Sequence, residues 1–106
     1  MNDVVAGLVT GPDREQLVRI GRVLVDERLI ACLNVVDRVT SVYRWEGEVC
    51  EEAEALGILK TTASRSDAVE RRIRELHPYA VPEVLFIPVA AGSPPYMEWV
   101  TEQVND

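Results

Sequence analysis

Three stretches of this chain, residues 4–9, 56–59 and 84–87, are apolar without polar alternation. Side chains along a β-strand alternate between the two faces of a sheet, so a strand of this kind is one covered on both sides. With 106 residues the chain makes one domain, residues 1–106, long enough for a real core and too short for two. Two amphipathic helical segments precede the last strand, and two helices can cover only one face of a sheet. Left bare, the other face would be a contiguous apolar patch beyond the few hundred Å² that soluble monomers tolerate. Self-association through that face is therefore expected.

The order of segments follows from where the hydrophobic period changes. Residues 4–9 read as a first strand, broken by Thr10, Gly11, Pro12 and Asp13. Asp13 with Gln16 three residues later forms a capping box for a helix running to about Glu27, with Leu17, Ile20 and Leu24 on one stripe and Gly21 beside them. β-Branched residues then dominate 29–45. Glu46, Gly47 and Glu48 supply turn chemistry, and a further run extends from Val49 to Thr61, which predicts two long hairpin strands. Ser64 and Asp67 give a second capping signature ahead of Val69, Ile73 and Leu76 at helical spacing, and Pro78 forbids continuation. Residues 82–89 read as a fourth strand, and Ser93, Pro94 and Pro95 start a short terminal helix with Met97, Val100 and Val104 on one side. Strand, helix, strand, strand, helix, strand is the α+β, ferredoxin-like βαββαβ arrangement: an antiparallel four-stranded sheet with both helices on one face, plus here a short C-terminal helix.

Charge removes several function classes. Eleven Lys and Arg against eighteen Asp and Glu leave a net charge of -7, which repels phosphate backbones and anionic membrane surfaces. Neither a nucleic acid nor a membrane is an expected partner. No apolar run reaches the roughly 18 residues of a spanning helix, and Met1, Asn2 and Asp3 carry no basic region ahead of an apolar stretch, so the expected location is cytoplasmic. Cysteine use agrees. With the hairpin turning at 46–48, Cys50 lies opposite about position 44 and Cys32 about twelve residues farther along, roughly 40 Å away, so the two do not bridge. The chain shows no nucleophile with a supporting base and carboxylate, no Gly-rich phosphate loop and no paired His on a helix, which argues against an enzyme.

Several separated motifs, in order, resemble those of the CutA divalent-cation tolerance proteins. They are the Thr10 to Asp13 turn after an apolar strand and the segment Leu29, Ile30, Ala31, Cys32, Leu33, Asn34. The hairpin tip Ser41, Val42, Tyr43, Arg44, Trp45, Glu46, Gly47 and the strand end Leu59, Lys60, Thr61 follow. His77, Pro78, Tyr79 with Val81, Pro82, Glu83 complete the set, so that the resemblance runs from about Val4 to Trp99. It implies tight homotrimers of ferredoxin-like subunits, with sheets packed inward and long hairpins extending between neighbours. It also implies tolerance of copper and other divalent cations, with metal ligation by a Cys just before the strand-end Thr and by two His preceding the Pro-Tyr. Those positions hold Val9, Leu76 and His77 in this chain, which leaves one imidazole. Such a trimer is built like the PII signalling proteins, whose small effectors sit in clefts between subunits, and this implies an alternative role as a sensor of a small anionic effector.

Each candidate residue has two readings. His77, the only His, is the one neutral nitrogen ligand for copper or another divalent metal, and equally a helix C-cap. Cys32 is a second candidate metal ligand, yet flanked by Ile30, Ala31 and Leu33 it suits an inert buried thiol. Lys60, the only Lys, either pairs with Glu83 or another carboxylate or offers its ammonium to an anion. Lys60, Glu83, Trp45, Tyr79, Tyr96 and Trp99 are candidates to line an intersubunit cleft for a small-molecule effector; the aromatics equally suit interface core. Glu46, Glu48, Glu51, Glu52 and Glu54 read as a solvated acidic rim, with Glu52 and Glu54 on one strand face.

Overall fold

The computed structural model describes residues 3–104. Strand β1 (Val4–Gly11) leads into helix α1 (Arg14–Asp26), and the long strands β2 (Cys32–Trp45) and β3 (Glu48–Thr62) form a hairpin. Helix α2 (Ser66–Leu76) follows a single 3-10 turn over Ala63–Arg65, and strand β4 (Val84–Pro88) precedes helix α3 (Pro94–Gln103). The strands pair antiparallel in the order β2-β3-β1-β4, the ferredoxin-like topology expected from the sequence.

The helix starts differ from expectation in instructive ways. Asp13 caps α1, its carboxylate accepting from the Gln16 backbone N–H at 2.8 Å, but the Gln16 side chain accepts from Arg19 instead of reaching back. Only half of the capping box is present. At α2 neither Ser64 nor Asp67 caps: the chain leaves β3 through the 3-10 turn, the Ser66 N–H bonds the Ala63 carbonyl, and the Ser64 hydroxyl meets that of Thr62 at 3.4 Å. Backbone bonding has taken the place of a side-chain cap.

Both helices pack on the same face of the sheet. Leu17, Ile20 and Leu24 of α1 and Val69 and Ile73 of α2 meet Val9, Ala55 and Leu59, all fully buried. Arg72 of α2 ties the pair together by a two-pronged contact of 2.9 Å on each oxygen of Glu27, and its charge and hydrogen bonds hold the Glu27 carboxyl below the usual range. Helix α3 closes one end of the sheet over Val4 and Ala31, using Val100 and Val104. Gly21 is what lets α1 lie so close to β2, since a Cβ there would come within 2.7 Å of Leu33 Cδ2. Gly21→Val is expected to cost about 1–3 kcal/mol through overpacking, despite its gain in helix propensity. Urea unfolding reads this directly, and an unchanged midpoint would contradict the close approach.

The hairpin turns on two residues, Glu46 at φ 49 and Gly47 at φ 84, the left-handed pair a tight turn between twisted strands needs. Glu48 is therefore already in β3, and Cys50 opposes Tyr43, one residue from the expected position. Cys32 opposes Lys60 at the far end of the hairpin, and both thiols are free.

Beyond the end that α3 covers, the face opposite α1 and α2 is bare. In β1 and β3, Val5, Val9, Ala55 and Leu59 turn inward, while their alternates Ala6, Leu8, Leu56 and Ile58 are only half-buried. At the sheet edges Leu85 is 54% exposed, Ile87 48% and Val36 44%. No helix in the described residues is long and apolar enough to cross a membrane.

Candidate functional site

A bulge decides what sits at the outer end of that bare face. Val36 opposes Leu56 but Val39 opposes Glu54, so β2 spends two residues, Asp37 and Arg38, against one of β3. Arg38 takes the left-handed backbone, φ 62, that the extra residue requires. Before the bulge the even-numbered residues of β2 share a face with Leu56 and Ile58; beyond it the odd-numbered ones do. Tyr43 and Trp45 are thereby brought to the same ribbon face as Glu52 and Glu54. The loop after α2 approaches from the other side, and together they enclose a cleft of about 670 Å³ that Tyr43, Trp45, Glu52, Glu54, Tyr79 and Glu83 line.

Phenol–carboxylate pairs organise the cleft. Tyr43 donates to the Glu52 carboxylate, and Tyr79 donates to Glu54 Oε2 at 2.7 Å. The bond to Glu52 pushes the Tyr43 hydroxyl up to about 12, while burial, seconded by the bond to Glu54, raises that of Tyr79. Away from the cleft, the Cys32 thiol does the same to Tyr96, also to about 12. A folded value above the unfolded one means stability that is complete below pH 10 and is lost as pH climbs toward 12. Tyrosinate absorbance is thus expected well above pH 10 in the folded protein and near 10 in the unfolded chain. Tyr43→Phe should flatten the fall in melting temperature over that window; ordinary titration of all three tyrosines near pH 10 would contradict the pairing.

His77 builds the cleft rather than lining it. It is 7% exposed, directly after α2, and its Nδ1 accepts the Tyr79 backbone N–H at 3.1 Å. An acceptor nitrogen is unprotonated, so Nε2 carries the proton and donates it to the Thr10 carbonyl at 2.7 Å. The imidazole bridges β1 to the loop and so positions Tyr79, whose ring lies 4.7 Å from its own.

Both ring nitrogens are thus engaged, and a metal would have to displace one of these bonds. Cys32 Sγ lies 3.5 Å from the Tyr96 hydroxyl, and no group of three or more His, Cys, Asp and Glu among the described residues could hold a metal ion. The described residues of this chain do not fit a soft divalent metal, which gathers three or four nitrogen or sulfur ligands.

The sequence candidates divide into two places. Trp45, Tyr79 and Glu83 meet at the cleft. Lys60 and Cys32 oppose each other at the far end of the hairpin, where Lys60 donates to Asn34 Oδ1 and Tyr96 stacks at a tilt on Trp99, centroids 5.6 Å apart. Lys60 faces Ala6, and Glu83 precedes Val84, which faces Val9; they lie about four residues apart along β1, roughly 13 Å, and do not pair within the chain. Tyr43 was missed as a cleft residue because the expected register, with Cys50 opposite about position 44, sets it against Glu51; the actual pairing with Cys50 puts it diagonal to Glu52. The contact of Tyr79 with Glu54 had no sequence signal.

Residues 5–103 match the family described as CutA1 divalent ion tolerance protein. The divalent-cation tolerance protein CutA of Thermus thermophilus is 44% identical over 105 residues, covering 99% of this chain and 100% of that protein. Protein CutA of Mus musculus is 41% identical over 106 residues, covering 97% of this chain but only 60% of the mouse protein's length. Among solved structures, CutA1 from Oryza sativa superposes with a TM-score of 0.95 at 36% identity, covering 98% of this chain and 95% of that one. The T. thermophilus structure gives a TM-score of 0.91 at 43% identity over 99% and 100%. By sequence and by fold, the chain belongs to the CutA1 divalent ion tolerance family.

Proposed function

We propose that the protein acts in tolerance of divalent cations, copper among them, as a cytoplasmic homotrimer that catalyses no reaction, its subunits joined through the sheet face opposite the helices. The tolerance role comes from the family and from relatives such as the T. thermophilus protein, named for divalent-cation tolerance. The observation that carries the assembly is the bare face itself, where Leu85, Ile87 and Val36 stand 44–54% exposed around half-buried Leu8, Leu56 and Ile58. Covering each large side chain is worth about 1.5–3 kcal/mol at full burial. Two free cysteines support the reducing compartment. Since the described residues of one subunit offer copper no ligand set, the reading expects weak binding that draws on more than one copy.

Sedimentation equilibrium at nanomolar concentration is expected to return a trimer, as an obligate interface of more than about 2,000 Å² would give. A stable folded monomer would overturn the assembly. For the role itself, deleting the gene should lower the Cu²⁺ concentration at which cells stop growing, with restoration on its return; equal tolerance with and without it defeats the reading.

A further inference from the structure

We propose that Lys60 of one copy completes the hairpin cleft of the next, its ammonium lying among the carboxylates of Glu52, Glu54 and Glu83, a contact that rests on the assembly proposed above and sets which end of one copy meets which end of its neighbour. Strand alternation fixes what the joining face carries. Its centre is apolar, with Ala6 and Leu8 of β1, Leu56 and Ile58 of β3, and Leu85 and Ile87 of β4. The strands hold three basic residues. Arg38 sits in the bulge, Arg44 lies on the other side of the hairpin ribbon opposite Val49, and Lys60 alone shares the face of Leu56 and Ile58. Lys60 stands at the α3 end, beside Cys32, whose thiol meets Tyr96. The carboxylates stand at the opposite end, where Glu52, Glu54 and Glu83 line the cleft. The face is thus positive at one end, negative at the other and apolar between.

Covering the face makes this division consequential. None of the three carboxylates takes part in an ion pair among the described residues, where the only pairs are those of Arg72 and Arg74, and no Lys or Arg of the same chain lines the cleft. Lys60 has only a neutral acceptor, the Asn34 side-chain oxygen. In water these groups need nothing more, but beneath a neighbouring copy each becomes a charge without a counter-charge, which is costly. Like ends together would crowd carboxylate on carboxylate. Unlike ends together neutralise both, and a ring built by repeating one contact between two different patches uses one Lys60 and one cleft per copy, with none left over. The same chain cannot supply the cation, since its own Lys60 stands roughly 13 Å from Glu83 along β1. Inside the cleft the Tyr43 and Tyr79 phenols hold Glu52 and Glu54 in place, and the carboxylate oxygens they leave free suit an ammonium with three donors.

Lys60 is the only lysine, so a water-soluble carbodiimide, which condenses an amine with a carboxylate in contact with it, tests the pairing in the wild-type protein. Covalent dimers and trimers are expected on a denaturing gel, with mass spectrometry placing the new amide between Lys60 and Glu52, Glu54 or Glu83. Charge reversal gives an independent measure. Lys60→Glu should raise the concentration at which the trimer half-dissociates at least about 100-fold while the far-ultraviolet circular dichroism is kept, and adding Glu83→Lys should recover most of that loss. Glu83 lies outside any strand, and at roughly 13 Å within one chain the two exchanged charges are largely screened, so recovery reads a contact between copies. An intact trimer without a Lys60 linkage, a Lys60→Glu variant that assembles like wild type, or a double variant no better than the single would each overturn the pairing and leave the assembly standing. A wild-type monomer would overturn the assembly, and the pairing with it.

Discussion

Leu85→Glu combined with Ile87→Glu is expected to convert the protein to a folded monomer. The two residues sit on β4 at alternate positions, 54% and 48% exposed, while Val84 and Phe86, which alternate with them, pack on the helix-side core. Strand alternation therefore separates folding from assembly: the substitutions leave the core untouched and place two carboxylates per subunit in the surface proposed to join the copies. Burying an unpaired charge in an apolar interface costs several kcal/mol or displaces the partner, and six carboxylates around one three-fold contact would be worse than additive through mutual repulsion. Sedimentation velocity should show about one third of the wild-type mass, with the far-ultraviolet circular dichroism retained. A variant that keeps the wild-type mass would remove this face from the assembly.

Much of the fold is legible in the sequence because its signals are local and redundant. The unalternating run of β1, the Asp13 cap and the stripe Leu17, Ile20, Leu24 locate the first strand and helix, and the structure differs chiefly in that β1 runs on through Thr10 and Gly11, two residues past the expected break, because both still pair with β3. The second helix start was misread because Ser64 and Asp67 have the right spacing for a cap, and only the geometry of leaving β3 shows that a 3-10 turn does the job. The cleft is legible to a smaller degree. Glu52 and Glu54 share a face by period two, but Tyr43 and Trp45 join them through the bulge at Asp37 and Arg38, which reverses the period of β2. A one-residue insertion leaves no mark in the hydrophobic pattern, since Val35, Val36, Val39 and Val42 populate both faces. Tyr79 reaches Glu54 across 25 residues, and His77 reaches Thr10 across 67; such contacts exist only after the sheet is assembled.

His77→Ala carries the second large effect, and it separates a structural imidazole from a metal ligand. The substitution removes the acceptor for the Tyr79 N–H and the donor to the Thr10 carbonyl in a side chain only 7% exposed. Two part-buried backbone groups lose their partners, and the space beside Gly11, where a Cβ would stand 3.7 Å from the imidazole Nε2, is left empty. Unsatisfied buried groups cost about 1–3 kcal/mol each, partly relieved where water can enter, so a loss of about 2–4 kcal/mol is expected. The loop after α2 loses its tie to β1, and Tyr79 should then leave Glu54, so the substitution also opens the cleft without touching any side chain that lines it. Unfolding measured at one fixed protein concentration, with and without a chelator, tells the roles apart. If hydrogen bonds are what His77 supplies, the full loss persists in the chelator. If it supplies a metal ligand, the chelator lowers wild-type stability to that of the variant and the difference between them vanishes.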